Sequence, residues 1–101
     1  MSDIRQARET LVSRVLEGDG KASPSERRAA FNNSLAGPGG SLVDKVAKYA
    51  FRITDEDIGA AMASGLSEDK VFEIVVCASV GQANRQYETA LAALETAAGK
   101  E

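Results

Sequence analysis

The chain has 101 residues and a mass of 10.6 kDa, enough for one domain that buries about 60–65 % of its unfolded surface. Hydrophobic residues make up 44 % and charged residues 27 %, with a net charge of −3, the balance of an ordinary globular domain. Histidine and tryptophan are absent and aromatics are 5 %, which removes the commonest general base and metal ligand and argues against stacking platforms for single-stranded nucleic acid; the single cysteine, Cys77, excludes an intrachain disulfide.

No apolar run reaches the ~18 residues of a membrane span. The start, MSDIRQARET, lacks a basic stretch leading into an apolar core, so no secretory signal is expected and the expected location is cytoplasmic. Residues 1–52 hold nine Lys/Arg against six Asp/Glu, and residues 53–101 hold three against nine, so the halves carry +3 and −6. Neither half has the dense basic patch of a nucleic-acid or anionic-membrane binder. The opposite charges suit halves that meet, within a chain or between subunits.

Ile4, Ala7, Leu11, Val12, Val15 and Leu16 follow one helical face. Ser2 or Asp3 is placed to cap that helix, and Gly18 to end it in a left-handed turn. Ser23-Pro24-Ser25-Glu26 is a capping-box start for a second, short helix running to about Asn33, anchored by Phe31. Ala36-Gly37-Pro38-Gly39-Gly40 forbids regular structure. It lacks the Gly-Lys-Ser/Thr of a phosphate loop and reads as a connector. Ser41 is then expected to cap a third helix with Leu42, Val43, Val46, Ala47 and Ala50 inward. Thr54 caps a fourth, short helix, with Asp55, Glu56 and Asp57 at the positive end of its dipole. Adjacent helical residues splay by about 100°, so these acids do not converge on a metal ion.

Ser67 opens one long helix to about Ala98. Val71, Phe72, Ile74, Val75, Val76, Ala78 and Val80 make its first half apolar nearly all round, and a helix apolar on every side is buried on every side. A chain this small has few places for such a helix, which implies a subunit interface. Val76, Val80, Ala83, Tyr87, Ala90 and Leu94 repeat at 4-3-4-3-4 spacing, a heptad seam under three heptads long. The expected fold is all-α: a single domain of residues 1–101 with about five helices, basic helices in 1–52 and a helix, turn and long helix in 53–98.

Glu73, Cys77, Gly81 and Arg85 form one stripe of the long helix. Within it Glu73 lies one turn from Cys77 and Arg85 two turns away, so the nearer repulsion disfavours a thiolate. Without a histidine or second cysteine, Cys77 reads as a buried structural residue. Glu73 sits in an apolar stretch and calls for a partner, with Arg27, Arg28 and Lys48 as candidates; Asp55, Glu56 and Asp57 are candidates for Arg85. Gly81 marks a close helix approach. Gln82, Asn84, Arg85, Gln86 and Tyr87 form a polar group suited to hydrogen bonding across an interface or lining a small pocket.

Ile58-Gly59-Ala60-Ala61-Met62-Ala63-Ser64-Gly65-Leu66-Ser67-Glu68-Asp69-Lys70-Val71-Phe72-Glu73-Ile74-Val75 resembles the C-terminal part of the AhpD-like, or carboxymuconolactone decarboxylase, superfamily. The likeness extends over Ile53 to Leu94. It implies an all-helical fold packed between subunits as dimers, trimers or hexamers. Peroxidase members carry Cys-x-x-Cys-x-x-x-His before the Gly turn; the corresponding positions here are Ala50, Ile53 and Asp57, so thiol peroxidase chemistry is not expected. The expected function is that of a non-catalytic AhpD-like protein acting through homo-oligomeric assembly or a protein partner, with no cofactor, metal, nucleic acid or membrane. The alternative is a small-molecule binder or enzyme with a pocket around Glu73, Cys77, Arg85 and Tyr87, completed across a subunit interface.

Overall fold

The computed structural model describes residues 2–99, with side chains from residue 4 to 99. Five α-helices follow one another: α1 (Ser2–Glu17), α2 (Pro24–Phe31), α3 (Gly40–Tyr49), α4 (Asp55–Ala63) and α5 (Glu68–Ala97), with a 3-10 turn at Ala50–Arg52 between α3 and α4. Among the described residues there is no strand, and no helix is long and apolar enough to cross a membrane. The capping role expected of Ser2 or Asp3 falls on side chains outside the described ones.

The local start signals act as their chemistry dictates. Ser23 accepts from the Glu26 N–H while the Glu26 carboxylate accepts from the Ser23 N–H, a reciprocal box with Pro24 in the first turn. Thr54 and Asp57 form the same box on α4, and Ser67 accepts from the Lys70 N–H on α5. Each satisfies amide protons that a helix leaves without internal partners.

Other boundaries differ from the expectation, each for a physical reason. The helix of Pro24 stops at Phe31, because Asn33 turns left-handed (φ 54°) and the Ser34 and Asn33 N–H groups fold back on the carbonyls of Ala29 and Ala30. The start of α3 is set by Gly39, not Ser41. Gly39 lies at φ 90°, a left-handed conformation natural to glycine, and a Cβ there would sit 2.8 Å from Ile74 Cδ1 and 2.9 Å from Leu66 Cδ1. Gly18 follows α1 without a left-handed backbone. Distant side chains serve that helix end instead: the Arg27 guanidinium donates to the Val15 and Gly18 carbonyls, and the Cys77 thiol donates to the Val15 carbonyl at 3.5 Å.

The core forms where α2, α3 and the first half of α5 meet. Ala30, Val43, Val46, Ile74, Cys77 and Ala78 are buried there, with Leu42 and Val71 beside them. Gly81 lets α2 end directly against α5: a Cβ at this position would overlap the Phe31 carbonyl oxygen. Helix α1 packs antiparallel to α5, since Val15 meets Cys77 while Arg8 meets Asn84 and Glu88 further along. The second half of α5 runs past the compact part, so the molecule extends 51 × 28 × 20 Å. Arg8–Glu88, Lys45–Asp57 and Lys70–Glu26 join the basic and acidic halves within one chain; such partly exposed pairs each contribute under about 1 kcal/mol.

Candidate functional site

The polar stripe on α5 is spent on holding other backbone segments. Glu73 receives the N–H groups of Lys21 and Ala22, each at 2.8 Å, at the exit of the α1–α2 loop. Desolvation raises its carboxyl pKa, but these two amides and the positive charges of Arg27 and Lys21 outweigh it and leave the group below its ordinary value. Its expected cationic partners therefore give way to backbone amides; Arg27 acts from nearby while donating to carbonyls at the end of α1. Arg85 departs from expectation in the same way. It donates to the Phe31 carbonyl at 2.7 Å and to Gln82 at 2.9 Å, closing the negative end of α2. None of the acids Asp55, Glu56 and Asp57 is its partner among the described bonds. Asp57 pairs with Lys45 at 2.8 Å and caps its own helix.

Cys77 is 1 % exposed and free. Burial pushes its thiol up, and Glu73 adds to this against the opposing pull of Arg27. A thiol held protonated in a dry contact is a poor nucleophile. Tyr87 lies under the Arg8 guanidinium, 4.8 Å from ring centroid to charge. Gln82 and Arg85 line an open hollow with Asn32, Asn33, Lys48 and Tyr49. Glu73, Cys77 and Tyr87 face α1 and the loop that follows it, so the five residues do not converge on one cavity. Ala50, Ile53 and Asp57 fall on the 3-10 turn, the connecting segment and α4 respectively, and share no helix. Among the described residues no group of three acids or cysteines is placed to hold a metal ion.

The other side of α5 presents the less ordinary surface. Away from α2 and α3 run Phe72, Val76, Val80, Ala83, Ala90 and Leu94, with Tyr87 at the edge of this face toward α1. Phe72 is 69 % and Leu94 65 % exposed, Ala83, Tyr87 and Ala90 are exposed, and Val76 and Val80 are half-buried. Between Val76 and Ala97 the charged residues of α5 are Arg85, Glu88 and Glu95, and at 100° per residue none falls on this face. A solvated helix face ordinarily carries the charges and an inner face the apolar residues; here the outer face is apolar and uncharged for six turns. Ile4 (53 % exposed) and Leu11 (51 %) flank Arg8 on α1 and add an apolar shoulder. The heptad spacing carried this signal in the sequence. What the spacing did not reveal is that the seam lies on the surface of the single chain.

Comparison with protein-family models, with curated proteins and with solved structures finds no match to this chain.

Proposed function

We propose that this chain is a non-catalytic helical protein that acts by assembly, through the outer face of α5. The observation that carries the reading is the uncharged apolar face from Val76 to Leu94, left open on a helix whose inner face is already packed. Exposed apolar patches of this extent mark interaction surfaces. An AhpD-like origin belongs to the same reading and rests on the residues from Ile58 to Val75. So does cytoplasmic residence, which suits a lone free thiol. A small-molecule role around Glu73, Cys77, Arg85 and Tyr87 has weaker support, because each polar head is already engaged by another helix or loop. Sedimentation equilibrium at micromolar concentration tests the proposal. The expected mass is a multiple of 10.6 kDa; a stable monomer that captures no protein partner through this face overturns it.

A further inference from the structure

The outer face of α5 has an internal order that selects its own occupant. Its bulky residues, Val80, Tyr87 and Leu94, recur every seven positions, and between them recur the small Ala83, Ala90 and Ala97. Two parallel copies would stack like on like, giving tyrosine and leucine layers too thick for the empty alanine layers between them. Two antiparallel copies place Val80 and Tyr87 of one helix over Ala90 and Ala83 of the other, so the central layers have even thickness, and Val76 with Leu94 closes each end. We propose that this face pairs with a second copy of the chain, antiparallel, about a two-fold axis passing near residue 85. This rests on the assembly reading above and gives it a partner and a register.

In that register positions whose numbers sum to 170 lie level. Val76 meets the partner's Leu94, Val80 meets the partner's Ala90, and Ala83 meets the partner's Tyr87. The Arg8 guanidinium over Tyr87 holds the central knob in place before pairing. The open rim beside the seam, away from α1, carries Ser79, Gln86 and Ala93, all uncharged, so on that side antiparallel rims meet without like-charge repulsion. The face from Phe72 to Leu94 is ~33 Å long on a helix ~10 Å across. That is about 330 Å² in projection, which the Ile4 and Leu11 shoulder widens, against the ~800 Å² per partner of a standard interface. A two-fold, self-complementary contact is also the commonest closed assembly.

The test is a charge rescue in the full-length chain, read by sedimentation, with far-ultraviolet circular dichroism confirming helix content. Val76→Lys and Leu94→Glu are each expected to weaken pairing at least ~100-fold, because each buries an unpaired charge. The double variant Val76→Lys/Leu94→Glu sets the two charges against each other twice in the antiparallel dimer, and pairing is expected to return to within ~10-fold of the parent. A parent dimer whose double variant stays apart overturns the register while leaving assembly intact. A monomeric parent overturns self-pairing altogether. If a charged variant loses helicity, disulfide trapping replaces it: Val80→Cys mixed with Ala90→Cys should oxidise to a covalent heterodimer, and neither variant alone should crosslink. A covalent homodimer of Val80→Cys alone marks a parallel pair and overturns the proposal.

Discussion

The two faces of α5 have nearly the same chemistry and opposite fates. Val71, Ile74, Cys77, Ala78 and Gly81 are sealed against α1, α2 and α3, while Phe72, Ala83, Ala90 and Leu94, equally apolar, face outward. The difference is not hydrophobicity but what surrounds each face. The inner face comes with Glu73 and Arg85, which bind backbone groups of neighbouring segments, and with a glycine that admits α2. The outer face carries no charged residue of α5, and its one anchor is the Arg8 guanidinium of α1 over Tyr87. Inner packing is thus fixed within the chain, and the outer face is left as pure surface complementarity.

The same substitution made two residues apart should break this comparison most sharply. Ile74→Ser removes a side chain that is 2 % exposed and buries a hydroxyl, and urea unfolding should show a loss of about 4 kcal/mol. Glu73→Gln should cost about 1.5 kcal/mol at neutral pH, since an amide cannot accept both loop N–H groups. Its pH dependence has a definite sign. The folded carboxyl lies below its ordinary value of 4.5, so its contribution is whole above that value and is lost as pH falls through the lower folded one. Stability of the parent should therefore fall toward acid more steeply than that of Glu73→Gln, the two curves converging at the acid end. Phe72→Ser, on the open face, should change unfolding by less than about 0.5 kcal/mol.

Features governed by neighbours in the chain were legible in the sequence. Ser23, Thr54 and Ser67 cap their helices because a hydroxyl and the amides it serves lie within three residues. The close approach at Gly81 was legible for a similar reason, since glycine in mid-helix calls for an explanation. Ser41 misled because a left-handed Gly39, wedged against Ile74 and Leu66, begins α3 by tertiary contact. Glu73 and Arg85 were recognised as needing partners, but the candidates were side chains of opposite charge. The partners are peptide groups of Lys21, Ala22 and Phe31, more than fifty residues away. Every residue carries such groups, so no letter of the sequence marks those that will be used.

The bond from Arg8 to Asn84 has a consequence for how the chain is made. It spans 76 positions, and α1, its following loop and α2 all rely on α5 for their terminal hydrogen bonds. On a ribosome, which adds residues from the N-terminus, the first four helices emerge before the element that closes them. Loop-closure entropy must be met before these distant contacts form. The N-terminal half therefore waits, incompletely folded, until α5 leaves the exit tunnel, and synthesis interrupted before α5 leaves a chain without the helix around which the others assemble.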